Sequence, residues 1–192
     1  DNGALVRYKG ETIVKTPMDY NLAIEIAKDI ISVPNCEVLL SGEKTAYIMP
    51  KTEEYLIRMT KVVQYKTTII KSLDEIQEDI LKVSVCDLSG IANSEKYFAD
   101  KWSDKAAAAV SGDQYMDFMD LCVSKGDALK KVQKIYGIDR SECMAFGDNY
   151  NDCEMLKQAE FSYAMASAAD DIKKNALYVT DSVEKILRGE LL

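Results

Sequence analysis

The pattern of apolar and polar residues changes once along the chain, near residue 123. Before that point, short β-prone runs alternate with amphipathic stretches, which predicts paired strands with helices between them. The first pair, 4–8 and 12–14, would turn at Lys9-Gly10. The other elements predicted for this part are helices over 17–31, 53–63 and 94–102, a strand over 81–86, and hairpins formed by 36–40 with 45–49 and by 107–110 with 115–120. Such a series of hairpins favours an open antiparallel sheet covered on one face.

After residue 123 the chain alternates strictly between helical and extended patterns. The first helix is Lys125–Tyr136, and Gly137 is typical of a residue that ends a helix. The other elements predicted here are strands over 143–146, 161–164 and 177–179 and helices over 152–158, 170–175 and 182–187. Strict alternation is typical of a doubly wound parallel sheet, so we predict the α/β fold class.

These two patterns predict how the chain is divided into domains. Residues 1–16 would form a core strand and hairpin, and residues 17–120 would form an inserted α+β domain. Residues 121–192 would then complete the C-terminal part of the parallel-sheet core.

Composition narrows the possible functions. The 192 residues are 47% hydrophobic and 29% charged, which is ordinary for a globular protein, and no apolar run is long enough for a transmembrane helix. A net charge of −8 disfavours binding to nucleic acid or to an anionic membrane surface. Five cysteines without a CxxC pair indicate free thiols and a cytoplasmic location.

The absence of histidine excludes several kinds of active site. Triads that contain histidine and zinc sites ligated by histidine are both ruled out. Catalysis would therefore depend on carboxylates, lysine, hydroxyls, thiols or a hard metal ion.

Polar residues follow the predicted strand 143–146 in a pattern that fits a metal site. The run is Gly147-Asp148-Asn149-Tyr150-Asn151-Asp152. In an open parallel sheet, ligands bind beyond the carboxyl ends of the strands, where Asp148 would lie. Carboxylate and amide oxygens suit Mg²⁺ better than zinc or copper. The alternative is structural, because Asn149 or Asp148 could cap the next helix with Asp152 in its first turn.

A lysine stands at the start of the helix Lys125–Tyr136. Ser124 and Asp127 fit a capping box, and Lys125 would emerge where the helix dipole also favours an anion. A lysine there can hold a phosphoryl oxygen and neutralise a neighbouring carboxylate. Taken alone, a solvated lysine in a first helical turn is the more common explanation.

The order of these two signals resembles that of the haloacid dehalogenase (HAD) superfamily, and in particular its Cof-type phosphatases. Ser124-Lys125-Gly126 is similar to the lysine motif of that superfamily, and the run 147–152 is similar to its acidic metal motif. Three further stretches, 1–4, 164–168 and 174–180, also resemble Cof-type segments. The resemblance is specific after residue 123 and weak in sequence across 17–120.

The resemblance implies a HAD-like core with an inserted cap domain. It also implies hydrolysis of phosphate monoesters of sugars or similar small metabolites through an aspartyl-phosphate intermediate. By the same resemblance, Asp148 would bind Mg²⁺, and Lys125 would contact the phosphoryl group and the nucleophile. Asn151 would contact the substrate phosphate, and Asp152 would orient the site. Lys125, Asp148 and Asp152 would thus be catalytic, with Lys125 and Asn151 binding substrate.

The sequence departs from the family pattern at the nucleophile. The Asp-x-Asp-Gly-Thr strand of the family does not occur, and the nearest pattern, Asp87-Leu-Ser-Gly, falls in the inserted domain. Ser167 also stands where the family usually has asparagine. We expect the nucleophile to lie on an N-terminal segment absent from this chain, so the complete protein would be a phosphatase and this chain alone would be inactive. A phosphomutase-like relative and a non-catalytic module that binds phosphorylated ligands are the alternatives.

Overall fold

The computed structural model describes residues 1–63 and 66–190, and it divides into two compact units. The first unit comprises Gly3–Cys122 together with Asp1, and the second comprises Asn2 and the chain from Val123 onward. The last two residues of the predicted 121–192 segment lie outside the described residues.

The first unit opens with the predicted hairpin, formed by β1 (Leu5–Tyr8) and β2 (Glu11–Lys15). Lys9 and Gly10 have φ angles of 50° and 88°. Positive φ at both central residues defines the tight turn that matches the twist of antiparallel strands. This hairpin groups with the first unit, and its assignment to the core stays a prediction.

A six-stranded sheet follows, in the order β5-β4-β3-β6-β8-β7. The strands are β3 (Cys36–Ser41), β4 (Ala46–Ile48), β5 (Thr67–Ile69), β6 (Lys82–Asp87), β7 (Ala107–Gly112) and β8 (Tyr115–Met119). Every pair is antiparallel as predicted except β4 with β5, which is parallel. The strand β5 was not predicted, because three residues are too few to show an alternating pattern.

Helices α1 (Tyr20–Ser32) and α3 (Glu95–Trp102) cover one face of this sheet. The alternate residues of the strands that point toward them are apolar and fully buried. They include Val38, Leu40, Val83, Val85, Met116 and Phe118. The first unit therefore has a large hydrophobic core of its own.

The helix predicted over 53–63 is not one continuous α-helix. An α-helix, α2 (Glu53–Ile57), continues into a π-helical turn, Arg58–Val62. Tyr55 and Met59 from these two segments pack on the second face of the sheet. A wider turn has no signature in a periodicity of 3.6 residues, so the expected helix was wrong in this detail.

The second unit alternates helix and strand as predicted. Its strands, β9 (Met144–Gly147), β10 (Phe161–Met165) and β11 (Tyr178–Thr180), form a parallel sheet in the order β11-β10-β9. Its helices are α4 (Lys125–Tyr136), α5 (Cys153–Gln158), α6 (Asp170–Lys173) and α7 (Val183–Leu187). Gly137 ends α4 with a left-handed φ of 65°, as predicted. Among the described residues, no helix combines the length and apolar character needed to cross a membrane.

A buried carboxylate joins the two helices that cover the first sheet. Asp29 of α1 accepts hydrogen bonds from Trp102 Nε1 (2.8 Å), Tyr97 Oη (2.9 Å) and Lys101 Nζ (2.5 Å) of α3. Burial by itself raises the pKa of the Asp29 carboxyl, but the hydrogen bonds from Lys101, Trp102 and Tyr97 outweigh it. The pKa of Asp29 is therefore lowered from its ordinary value.

We predict that Asp29 makes the stability of the first unit depend on acidity. Because its folded-state pKa is lowered, its contribution is present above the unfolded-state pKa of about 3.9 and is lost as pH falls further. Asp29→Asn should cost about 1–3 kcal/mol at neutral pH and should flatten the acid side of the stability profile. Urea unfolding across a pH series measures both effects.

The control is Asp104→Asn, which changes an exposed aspartate in the same unit. Its unfolding free energy should stay within about 0.5 kcal/mol of wild type. Parallel pH profiles for wild type and Asp29→Asn would contradict the prediction.

Candidate functional site

The predicted site residues of the second unit meet at the carboxyl end of β9. Lys125 Nζ lies 2.5 Å from Asp152 Oδ1, although the two residues are 27 positions apart. The Asp152 side chain is 6% exposed, and that of Lys125 is 33% exposed. The ion pair therefore joins the N-terminus of α4 to the loop that follows β9, with one side of the lysine open to solvent.

The second carboxylate oxygen of Asp152 holds that loop. Asp152 Oδ2 accepts from the backbone N–H groups of Asp148 (3.0 Å) and Asn149 (3.2 Å). Asn149 in turn caps the short 3₁₀ turn that contains Asp152. The capping alternative is therefore correct only in part, because Asn149 caps this 3₁₀ turn and the helix α5 begins after it, at Cys153. The cap coexists with the ion pair to Lys125.

The charge state of Asp152 follows from these contacts. Burial alone would raise the pKa of its carboxyl. The hydrogen bond from Lys125, the backbone N–H of Asp148 and the positive charge of Lys125 together outweigh burial, so the pKa is lowered. Asp152 is therefore an ionised, fully engaged carboxylate at neutral pH.

Two glycines allow these segments to approach each other. A Cβ atom on Gly147 would lie 2.5 Å from Asp152 Cβ, and one on Gly126 would lie 2.6 Å from the backbone carbonyl carbon of Glu154. Neither distance is sterically possible without a shift. Gly126 thus lets α4 contact α5 closely. This role was not predicted, because nothing in the sequence shows which helices touch.

Lys125 also lies at a well-formed helix N-terminus. Ser124 Oγ accepts from the backbone N–H of Asp127 (3.0 Å), which confirms one half of the predicted capping box. The carboxylate of Asp127 pairs instead with Lys131 at 2.7 Å. The dipole of α4 and the lysine charge therefore both favour an anion at this point.

Asp148 differs from Asp152 in being exposed. Among the described residues, none forms a hydrogen bond or ion pair with its carboxylate. Its oxygens are the kind that Mg²⁺ takes from proteins, and Mg²⁺ usually keeps several waters and uses one or two carboxylates. The described residues contain no cluster of three or more acidic or cysteine side chains that could enclose an ion. An exposed carboxylate of this kind would suit a largely hydrated Mg²⁺, and Asp148 as its ligand stays a prediction.

Asn151, the predicted substrate-binding residue, lies in the same loop. Its Nδ2 donates to Asn2 Oδ1 at 3.0 Å, and its Oδ1 is buried with no hydrogen-bond partner in the described part of the chain. The link to Asn2 was not predicted. Asn2 belongs to the second unit although it is distant in sequence.

Asp87, in the stretch nearest to the nucleophile pattern of the family, has a structural role. Asp87 is 3% exposed and accepts hydrogen bonds from Ser89 N (3.0 Å), Ser89 Oγ (2.5 Å) and Ser94 Oγ (3.0 Å). Both of its oxygens are used to shape the turn after β6 in the first unit. These contacts are those of a structural carboxylate.

Known proteins resemble this chain in sequence. A family model described as haloacid dehalogenase-like hydrolase matches residues 1–186. The 5-amino-6-(5-phospho-D-ribitylamino)uracil phosphatase YbjI of Escherichia coli is 25% identical over 201 residues, covering 99% of this chain and 74% of the relative.

Solved structures show the same fold. SMU.1108c from Streptococcus mutans has a TM-score of 0.83 and 27% identity, with 98% of this chain and 74% of the other covered. The HAD subclass IIB sugar phosphatase BT4131 has a TM-score of 0.82 and 18% identity, with 98% and 73% covered.

The parallel sheet, the lysine at a helix start and the acidic loop after β9 define a HAD-like α/β hydrolase. The chain belongs to the haloacid dehalogenase-like hydrolase family. The predicted fold class is confirmed. The relatives are named phosphatases or hydrolases of this superfamily, which supports a phosphatase function.

We predict that Gly126→Ala damages the site by steric conflict. Alanine is normally about 1 kcal/mol better than glycine within a helix, but the new methyl group would strike the Glu154 backbone. Overpacking against backbone should reverse the sign and cost about 1–3 kcal/mol in unfolding free energy. Urea denaturation of the variant measures this cost.

Gly112→Ala is the matched control, because a Cβ at Gly112 meets nothing within 4 Å and its φ is not positive. It should leave the unfolding free energy nearly unchanged. A Gly126→Ala protein as stable as the Gly112→Ala protein would show that α4 and α5 have room to separate.

Proposed function

We propose that the complete protein hydrolyses phosphate monoesters with the help of Mg²⁺, through an aspartyl-phosphate intermediate. The observation that supports this most is that the two aspartates of the loop differ in burial and in contacts. Asp152 is buried and fully engaged by Lys125 and the loop, whereas Asp148 is exposed with its carboxylate available. One carboxylate can thus position the site while the other binds the metal.

The proposed roles follow from these positions. Asp148 would ligate Mg²⁺, which when bound supplies charge neutralisation for the phosphoryl oxygens. Lys125 would bind a phosphoryl oxygen with the N–H donors that Asp152 does not use. Asn151 would hydrogen-bond the substrate phosphate through its amide. Asp152 would hold Lys125 and the 148–149 backbone in place.

The nucleophilic aspartate of this mechanism is assigned to a part of the protein outside this sequence. The family motif that bears it does not occur among these 192 residues, and Asp87 has a structural role. In the described second unit, β9 is an edge strand, and Met144 on it is 43% exposed. A further strand beside β9 would bring a nucleophile close to Asp148.

The names of the relatives suggest a class of substrate. One relative is named for a phosphoribityl compound and another structure is a sugar phosphatase. We therefore propose that the substrate is a small phosphorylated metabolite of the sugar or polyol type. A non-catalytic module that binds phosphorylated ligands is the alternative, favoured by the missing nucleophile motif in this chain. Hydrolysis of any phosphate ester by the complete protein excludes it.

We predict that Asp148→Asn in the complete protein abolishes Mg²⁺-dependent hydrolysis of p-nitrophenyl phosphate. Removing the charge from an exposed ligand should weaken Mg²⁺ binding strongly, while the fold stays intact because no described residue relies on that carboxylate. Activity is measured over a Mg²⁺ titration, and unfolding is followed in parallel. The two measurements distinguish weaker Mg²⁺ binding from a loss of folding.

Asp170→Asn serves as the control, since the side chain of Asp170 is 95% exposed and only pairs weakly with Lys173. It should keep wild-type activity at every Mg²⁺ concentration. Full activity of Asp148→Asn at ordinary Mg²⁺ would remove Asp148 from the metal site.

A further inference from the structure

A tight turn at the start of the chain contains a side chain that contacts the proposed site. Ala4 N donates to the carbonyl oxygen of Asp1 at 2.9 Å, which closes a turn with Asn2 and Gly3 at its centre. Asn2 has a φ of 49° and Gly3 a φ of 103°. Positive φ at both central residues is the pattern of a type I′ turn, and Asn-Gly is the residue pair that favours it most. The backbone conformation of Asn2 therefore follows from its own sequence neighbours.

The side chain of Asn2 contacts the loop that follows β9. Asn2 Oδ1 accepts from Asn151 Nδ2 at 3.0 Å, although the two residues are 149 positions apart. Asn2 itself groups with the second unit, to which this loop belongs. Within the part of the chain that the structure describes, this is the one hydrogen bond that the Asn151 side chain makes.

This hydrogen bond decides which way the Asn151 amide points. The two ends of an amide group have nearly the same shape, but the nitrogen donates and the oxygen accepts. The acceptor Asn2 Oδ1 stabilises the orientation with Nδ2 toward it, because a rotated amide would bring two oxygen atoms together. The second N–H of Asn151 Nδ2 then remains as a donor for another acceptor.

The other end of the Asn151 amide shows that this orientation has a cost. Asn151 Oδ1 is buried and has no hydrogen-bond partner among the described residues. A buried carbonyl oxygen without a partner is unfavourable, and in native proteins such atoms are few. Stability alone therefore does not explain the placement of this side chain.

The residues on either side of Asn151 are held by other contacts. Asp152 Oδ2 accepts from two backbone N–H groups of the loop, and Tyr150 Oη donates to Asp171 at 2.9 Å. These contacts hold the backbone of the short 3₁₀ turn, but they do not determine the rotation of the Asn151 side chain. Among the described residues, Asn2 supplies that constraint.

We propose that Asn2 is a positioning residue, which orients the Asn151 amide so that its second N–H donates to an oxygen of the substrate phosphate. This inference rests on the proposed function, in which Asn151 binds that phosphate. Asn2 acts through Asn151 and not by contact with the substrate. Asparagine suits both demands on this position, because it tolerates the left-handed backbone of the turn and carries an acceptor oxygen.

Asn2→Gly removes the side chain and keeps the turn. Glycine adopts a positive φ without strain, so the urea unfolding midpoint of the complete protein should be nearly unchanged. We expect KM for p-nitrophenyl phosphate to rise about three- to tenfold, because one hydrogen bond to the phosphate is weakened. The change in kcat should stay below about twofold, which is the pattern of a binding interaction made equally in the ground state and the transition state.

Lys9→Gly is the matched control. Lys9 occupies the equivalent position of the turn between β1 and β2, with a φ of 50°, and its side chain is exposed. The variant should keep the wild-type KM. An equal rise of KM in Lys9→Gly and Asn2→Gly would overturn the proposal, because the cause would then be the added glycine and not the lost amide.

A double-mutant cycle tests whether Asn2 acts through Asn151. Asn151→Ala should raise KM at least as much as Asn2→Gly does. Adding Asn2→Gly to Asn151→Ala should then change KM no further, because the group that Asn2 orients is gone. Independent effects, with the two single increases multiplying in the double variant, would overturn the assignment.

The orientation of the amide can also be measured without any hydrolysis. The side-chain NH₂ signals of Asn151 in a ¹H–¹⁵N correlation spectrum are identified by their absence in Asn151→Ala. The two proton shifts should lie far apart in wild type, where one N–H is hydrogen-bonded, and should move together in Asn2→Gly. Asn2→Asp keeps an acceptor oxygen and should restore the separation. Identical Asn151 signals in wild type and Asn2→Gly would overturn the proposal.

These outcomes separate the role of Asn2 from the proposed function. An unchanged KM for Asn2→Gly in an active phosphatase would overturn the role of Asn2 and leave the phosphatase function in place. Asn151 signals that depend on Asn2, in a complete protein without phosphatase activity, would support the positioning contact and contradict the proposed function.

Discussion

The arrangement of the second unit depends on one buried carboxylate. Asp152 binds Lys125 with one oxygen and the backbone of residues 148 and 149 with the other. A buried charge is tolerated only when it is paired and hydrogen-bonded. The Asp152 carboxylate therefore needs both the ion pair and the backbone hydrogen bonds. The same contacts fix the N-terminus of α4, the end of β9 and the start of α5 relative to one another. Asp148 is thereby left at the end of the strand with its carboxylate exposed.

Much of this could be predicted from the sequence, because the relevant signals are local. The helix Lys125–Tyr136 has its predicted bounds, because Ser124 caps its N-terminus and Gly137 ends it in a left-handed conformation. The strand before Asp148 was found because a short apolar run is followed by polar residues. The resemblance placed Lys125 and Asp152 in one site, but the ion pair between them was not predicted, because 27 residues separate them.

Other features could not be predicted, for physical reasons. The close approach of α4 to α5 at Gly126 and the contact of Asn151 with Asn2 depend on tertiary packing. The parallel strand β5 is short, and the π-helical turn after α2 has no periodicity of its own. Features that depend on two distant segments were therefore missed or came from resemblance alone.

We propose that Asp152 positions Lys125 and that the charge of this lysine serves catalysis. These roles are tested by comparing Lys125→Met with the double variant Lys125→Met/Asp152→Asn in the complete protein, measuring unfolding free energy and kcat together. The single variant should lose about 1–3 kcal/mol, because Asp152 is left buried and unpaired, and should lose at least about a hundredfold in kcat. The double variant should regain much of the stability, since the unpaired charge is gone, while kcat stays low. Recovery of kcat along with stability would contradict the account and make Lys125 purely structural.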